Sequence, residues 1–113
     1  MGVTYLGSDV AIVTLAGEHE LSANGLLARQ LAQLVRTGER VIVDLSALEN
    51  VDASMIDTLV QADALARERG LTLTLQLGVE TPPAGGLELT RIRQCLPFAS
   101  SREEAVSIAR SNG

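Results

Sequence analysis

The amino-acid sequence predicts one α/β domain with a mixed, mostly parallel sheet. A chain of 113 residues has room for one compact domain. Its hydrophobic fraction of 46% is enough for a core, and aromatic residues at only 2% make that core aliphatic. After an initial hairpin, short apolar segments alternate with segments of helical periodicity, which is the order typical of an α/β sheet. We expect four or five strands and about four helices in one domain over residues 1–113.

The first elements are a hairpin and a helix. Residues 3–6 and 10–15 are rich in β-branched and apolar residues, and Gly-Ser-Asp at 7–9 predicts a turn between them. A helix is predicted over residues 21–37, and Gly38 closes it. Its apolar residues recur at helical spacing: Leu27, Leu31, Leu34 and Val35.

A strand and a helix occupy the middle of the chain. Residues 40–45 contain the continuous apolar run Val-Ile-Val, which is typical of a strand covered on both faces. The helix that follows ends near Gly70, where a left-handed cap is common. Its predicted inward stripe consists of Met55, Leu59, Ala62 and Ala66, widened by Ile56 and Leu65.

The last third of the chain continues the alternation. Residues 71–77 alternate between apolar and polar, which predicts a strand with one apolar face, and the Pro- and Gly-containing residues 78–86 predict a loop. Residues 87–95 are compatible with a short helix and residues 96–99 with a short edge strand. Ser101 can cap a final helix as part of a capping box with Glu104, with Ala105, Ile108 and Ala109 facing inward.

Composition excludes several classes of function. The net charge of −5 and the presence of only two aromatic residues, Tyr5 and Phe98, argue against nucleic acid as a partner. The single cysteine, Cys95, allows neither an intramolecular disulfide nor a multi-cysteine metal site, and we interpret it as a small core residue. No apolar run approaches the roughly 20 residues that cross a bilayer. We therefore expect a cytoplasmic protein without membrane insertion.

The turn before the central helix holds the main candidate site. Asp52 and Ser54 lie where unpaired backbone N–H groups of a helix would point, and such groups favour both capping oxygens and phosphate. Ser54 is therefore either a cap, with Asp57 as a weak capping-box partner, or a serine that gains and loses a phosphate. Asp52 is the alternative N-cap, and the sequence does not separate these assignments.

Other residues with reactive side chains favour structural interpretations. Glu18, His19 and Glu20 are adjacent in a polar break, and neighbouring loop residues seldom converge on one metal ion, so we expect a solvated turn and no metal site. Ser54 is not in a nucleophile elbow of the Gly-x-Ser-x-Gly kind. We expect no enzymatic activity and no cofactor.

The central stretch resembles the STAS family, which includes bacterial anti-sigma factor antagonists and the tails of sulfate transporters. The family signature is an apolar strand, Asp-Leu-Ser, a short spacer, and Asp-Ser-Ser/Thr-Gly at the start of a helix. Here residues 41–46 read Val-Ile-Val-Asp-Leu-Ser and residues 51–55 read Val-Asp-Ala-Ser-Met. Residues 17–20 are similar to the family's Gly-Glu-Leu-Asp turn, and residues 95–105 to its last strand and helix.

The resemblance implies a partner-switching regulator. Its partner would be an anti-sigma factor that is also a serine kinase, which binds the unphosphorylated domain and releases the domain phosphorylated at Ser54. The kinase would supply ATP and Mg²⁺. The implied contact surface comprises Gly17, Glu18, His19, Glu20, Asp52, Ala53, Met55, Ile56 and Asp57. The alternative is a constitutive subunit of a lipid-transport ATPase or of a stress-sensing complex.

Two positions depart from the family pattern. Ala53 replaces the first hydroxyl, which leaves Ser54 as the only phosphate acceptor of the motif. Met55 replaces the glycine, which in the family allows a partner backbone to approach closely. A methionine at this position either blocks a kinase or offers a flexible apolar contact to a different partner.

Overall fold

The computed structural model describes residues 1–17, 23–77 and 86–111, and within these ranges the chain forms one mixed sheet and four helices. The elements are β1 (Gly2–Leu6), β2 (Val10–Gly17), α1 (Asn24–Arg36), β3 (Arg40–Leu48), α2 (Ala53–Glu68), β4 (Thr74–Gln76), α3 (Gly86–Cys95), β5 (Phe98–Ala99) and α4 (Arg102–Ser111). The strands lie in the sheet in chain order, β1-β2-β3-β4-β5. Only the β1–β2 pair is antiparallel, and the other neighbours are parallel, so the predicted α/β class is confirmed.

The sheet is covered on both faces. Alternate residues of β3 point to opposite sides, so Val41 and Val43 belong to one apolar cluster while Ile42 belongs to the other. The larger cluster joins the sheet to α1, α2 and α3, and the smaller joins it to α4. This two-sided burial explains why β3 reads as a continuous apolar run and confirms that prediction.

The glycines predicted to end α1 and α2 have the expected backbone conformation. Gly38 follows α1 with a φ of +83°, and Gly70 follows α2 with a φ of +74°. Both values lie in the left-handed region, which residues with a Cβ seldom adopt. The stripe predicted on α2 also lies in the core, with Leu65 at its half-buried margin.

The strand predicted over residues 71–77 is shorter than expected. It comprises only Thr74–Gln76, and just before it the backbone N–H of Leu73 donates to the carboxylate of Asp63 at 3.1 Å. The polar face of the strand is not open to solvent either. Thr74 and Gln76 are buried on the side of the sheet that α4 covers.

The prediction of a core position for Cys95 was wrong. Cys95 is exposed at the end of α3, whereas Ile92 and Leu96 on the same turn are buried. Ile92 on α3 and Leu96 just after the helix are four residues apart and both face the core, and Cys95 lies outside that row.

The last helix is attached at both ends. At its start the backbone N–H of Glu104 donates to Ser101 Oγ at 3.1 Å, which confirms Ser101 as the cap, while the Glu104 carboxylate accepts from Ser100 Oγ. At its end the Arg110 guanidinium donates to both carboxylate oxygens of Asp9, at 3.1 and 3.2 Å. These hydrogen bonds hold the pKa of Asp9 below its ordinary value.

Replacing Asp63 by Ala is expected to destabilise the domain by about 1–3 kcal/mol, because the buried N–H of Leu73 loses its acceptor. Asp63→Asn keeps an acceptor oxygen and should cost less. The control is Asp57→Ala on the same helix, an exposed position expected to change stability by no more than about 0.5 kcal/mol. Urea denaturation midpoints measure all three, and equal midpoints for Asp63→Ala and Asp57→Ala would contradict the assignment.

Replacing Arg110 by Ala is expected to raise the pKa of Asp9, since its main hydrogen-bond donor is lost. A carboxyl with a lowered native pKa contributes stability above its unfolded pKa, and that contribution disappears as pH falls through the native pKa. The parent should therefore exceed the variant in stability at pH 7 but not at pH 2. Titration of Asp9 by NMR tests the pKa, with Arg91→Ala as an exposed control. An Asp9 pKa unchanged in Arg110→Ala would refute the coupling.

Candidate functional site

The candidate site lies at the carboxyl edge of the parallel strands. There Gly17, the last residue of β2, pairs with Leu48, the last residue of β3. The backbone N–H of Glu49 then donates to the carbonyl of Gly17 at 2.8 Å. Gly17 has a φ of +66°, a left-handed conformation that suits glycine. The turn after β3 is therefore held against the residue where the chain leaves β2.

Asp52 is the N-cap of α2. Its backbone is extended, with φ −109° and ψ 171°, and its side-chain Oδ1 accepts from the backbone N–H of Met55 at 2.8 Å. Its carbonyl accepts the first intrahelical hydrogen bond, from the N–H of Ile56. The structure thus decides between the two capping assignments in favour of Asp52, and the capping role considered for Ser54 was wrong.

Ser54 occupies the second position of α2 and is exposed. Its hydroxyl makes no hydrogen bond to the part of the chain that the structure describes. Its carbonyl accepts from Thr58 Oγ1 at 3.0 Å, one turn further along the helix. The hydroxyl therefore lies free beside the N–H groups of a helix N-terminus, where a phosphate would be favoured by hydrogen bonding and by the helix dipole.

Met55 and Ile56 point into the core. The side chains are 1% and 2% exposed and belong to the larger apolar cluster. Met55 has an ordinary helical backbone, so this position does not require the conformational freedom of glycine. Of the residues expected at a partner interface, these two support the helix from beneath, and the methionine side chain leaves the Ser54 hydroxyl uncovered.

Ala53 and Asp57 share the exposed side of the first turns of α2 with Ser54. Asp52 is half-buried beside them. The surface around the Ser54 hydroxyl therefore carries two carboxylates and no basic side chain in the first turn of the helix.

The Asp-Leu-Ser segment of β3 has a structural role that the sequence did not reveal. Asp44 is 6% exposed, and its Oδ1 accepts from the backbone N–H and the hydroxyl of Ser46 at 2.9 and 2.6 Å. Its Oδ2 accepts from Arg102 Nη2 at 3.0 Å, and Arg102 Nε donates to Gln76 Oε1 at 2.9 Å. Arg102 thereby joins the start of α4 to the middle of β3 and the end of β4.

A signal for this network was present in the sequence. A carboxylate inside an apolar strand needs a partner, because an unpaired buried charge is costly. Sequence alone, however, offers nine arginines to choose from. The partner lies 58 positions away and is chosen by the packing of α4.

Glu18, His19 and Glu20 lie outside the described residues, so their predicted place at the site stays a prediction. Within ranges 1–17, 23–77 and 86–111, no group of three or more His, Cys, Asp or Glu side chains is arranged to hold a metal ion. No helix in those ranges has the length and apolarity needed to cross a membrane.

A family model described as "Mlab, STAS domain" matches residues 5–94. The chain belongs to the STAS domain family. This match covers the strand, turn and helix that carry Asp44, Asp52 and Ser54. No curated protein is significantly similar to the chain in sequence.

Solved structures of similar fold agree with this membership. SpoIIAA, an anti-sigma factor antagonist in its unphosphorylated form, is 14% identical with a TM-score of 0.73, over 99% of this chain and 97% of that one. An anti-sigma factor antagonist from Mycobacterium paratuberculosis is 18% identical with a TM-score of 0.74, over 96% and 91%. A Thermotoga maritima protein provisionally described as such an antagonist is 17% identical with a TM-score of 0.76, over 96% and 93%. At these identities the similarity establishes the fold.

Removing the cap and removing the hydroxyl should have different effects on stability. Asp52→Ala is expected to cost about 1 kcal/mol, because the N–H of Met55 loses its acceptor, whereas Asp52→Asn keeps the cap. Ser54→Ala should change stability by no more than about 0.5 kcal/mol, since the exposed hydroxyl holds no partner. Thermal or urea unfolding compares the three variants. A larger loss for Ser54→Ala than for Asp52→Ala would contradict the assignment of the cap.

Proposed function

We propose that this STAS domain is an anti-sigma factor antagonist that acts by partner switching at Ser54. Unphosphorylated, it binds an anti-sigma factor of the serine-kinase type and so frees a sigma factor for transcription. Phosphorylated at Ser54, it releases that partner. The solved structures of similar fold that are named as anti-sigma factor antagonists support this class.

The free hydroxyl of Ser54 is the observation that carries the proposal. Because Asp52 caps α2, Ser54 has no capping role, and its hydroxyl is exposed without a partner among the described residues. The side chain of the neighbouring Met55 is buried and does not shield it. A kinase therefore meets an accessible acceptor on a rigid helix.

Phosphorylation would change the charge of the surface and leave the fold intact. A phosphate adds about −1.5 to −2 charges beside the carboxylates of Asp52 and Asp57. The helix N-terminus offsets part of the repulsion within the domain, so α2 need not unfold. A partner surface that fits the neutral hydroxyl would meet a large, charged group in its place. The kinase supplies ATP and Mg²⁺, and the domain itself contributes the acceptor and the surface.

Two measurements test the proposal: the affinity for the anti-sigma factor and the intact mass of the domain after incubation with that factor and ATP. Each serine-kinase-type anti-sigma factor of the source organism is purified and titrated calorimetrically with the parent, Ser54→Ala and Ser54→Glu. Ser54→Ala should bind like the parent, and Ser54→Glu should bind roughly tenfold more weakly or worse, because a buried like charge costs several kcal/mol. Incubation of the binding factor with ATP and Mg²⁺ should add one phosphoryl group to the parent, seen by intact mass, and none to Ser54→Ala.

Ser107→Glu is the matched control. Ser107 is an exposed serine on α4, which covers the opposite face of the sheet, so this change adds the same charge far from Ser54. It should leave the affinity within about twofold of the parent. If the parent, Ser54→Glu and Ser107→Glu bind with equal affinity, Ser54 does not control binding and the switch is refuted. If the parent binds none of the anti-sigma factors, the proposed class of partner is refuted.

A second candidate function is a constitutive subunit of a lipid-transport ATPase. The resemblance to STAS domains implies it as the alternative, and the match of a STAS family model to residues 5–94 is compatible with either function. In that case Ser54 is never phosphorylated in the source organism. Affinity purification from that organism would then yield an ATPase in place of an anti-sigma factor, with the same yield for Ser54→Ala.

A further inference from the structure

A groove lies between α1 and α2, and the proposed switch at Ser54 assigns no role to it. It is lined by six uncharged residues: Ala28, Ala32, Thr58, Gln61, Ala62 and Leu65. Its volume is about 310 Å³, at the low end for sites that enclose a small molecule, and two of its lining residues, Ala28 and Gln61, are exposed. The alanines allow another backbone to approach closely. These properties suit the side chains of a second macromolecule better than an enclosed ligand.

The groove begins at Thr58, one helical turn after Ser54. Positions 54, 58, 61 and 65 follow the spacing of one helical stripe, and Thr58 Oγ1 bonds to the carbonyl of Ser54. At the other end, Arg69 Nη1 donates to the carbonyl of Arg36 at 3.4 Å, so the carboxyl-terminal ends of the two helices meet there. The lining residues therefore occupy the middle of the helix pair, between Ser54 at one end and the contact of Arg69 with Arg36 at the other.

Charges of opposite sign flank the groove. On α1, the exposed Arg29 and Arg36 are seven residues apart and share one face, next to the groove-lining alanines. On α2, the exposed Asp57 and Glu68 are eleven residues apart and also share a face. None of these four side chains forms an ion pair with the described part of the chain. The groove thus has a basic edge on α1 and an acidic edge on α2.

We infer that this groove binds one amphipathic helix of the partner. That helix would present a stripe of small and aliphatic side chains, with carboxylates on the edge toward α1 and basic side chains on the edge toward α2. The inference rests on the proposed function, because it assigns the partner helix to the anti-sigma factor. It also specifies how a phosphate on Ser54 acts, since the phosphate would stand one helical turn from Thr58, the nearest lining residue on α2.

Two variants test the groove away from Ser54. Ala28→Arg fills it, and Glu68→Arg reverses its acidic edge about 21 Å along α2 from Ser54, at 1.5 Å per residue. Each should weaken binding of the anti-sigma factor by roughly tenfold or more. Ser107→Arg, on the opposite face of the sheet, is the control and should stay within about twofold. Circular dichroism and unfolding midpoints establish that each variant is folded.

The outcomes separate the two proposals. If Ser54→Glu weakens binding while Ala28→Arg and Glu68→Arg bind like the parent, the groove is overturned and the switch stands. If no anti-sigma factor binds the parent, the proposed function fails, and a synthetic probe decides about the groove.

The probe is a stapled helical peptide with an Ala/Leu stripe between one row of Glu and one row of Lys. It should shift the NMR amide signals of the groove-lining residues, and a lack of shifts at millimolar peptide would overturn the groove as a helix site.

Discussion

The burial of β3 on both faces is the constraint on which the carboxyl edge of the sheet depends. If β3 slipped by one residue, Val41 and Val43 would move into the smaller apolar cluster and Ile42 into the larger one. Because the two clusters differ in shape, the register of β3 is strongly specified. The residue that ends β3 is thereby fixed, and so is the turn that leads to α2. Gly17 is held against that turn by the N–H of Glu49. The candidate site owes its geometry to this central strand.

The polar network around Asp44 also fixes the position of β3, from the opposite side of the sheet. Arg102 bridges Asp44 and Gln76, whose strands pair at this position. Removing one partner of such a network leaves a buried polar group without its hydrogen bonds, which is far costlier than the network's net contribution. Asp44 therefore supports the site from the face away from α2, while Leu45 beside it packs in the larger cluster on the α2 side.

At the start of α2, three neighbouring residues have three different roles. Asp52 caps the helix, Met55 anchors it in the core, and Ser54 between them is left exposed with a free hydroxyl. A residue that neither caps nor packs can be modified at little cost to the fold. On the proposed function, this separation would let phosphorylation of Ser54 alter binding without unfolding the domain, with the proposed α1–α2 groove as the nearby binding surface.

Local patterns in the sequence were enough to predict the class of fold, the order of the elements and the place of Ser54 near a helix start. Apolar periodicity, the glycines after α1 and α2, and the Asp-Leu-Ser and Asp-x-Ser spacing are local signals, and local signals survive without tertiary information. Other features depended on contacts between distant parts of the chain. Asp63 accepts from the N–H of Leu73, Arg102 pairs with Asp44, and helix α1 forms the other wall of the groove beside α2. Even the assignment of the cap needed atomic geometry, because Asp52 and Ser54 are both good capping residues and only the backbone angles of the turn distinguish them.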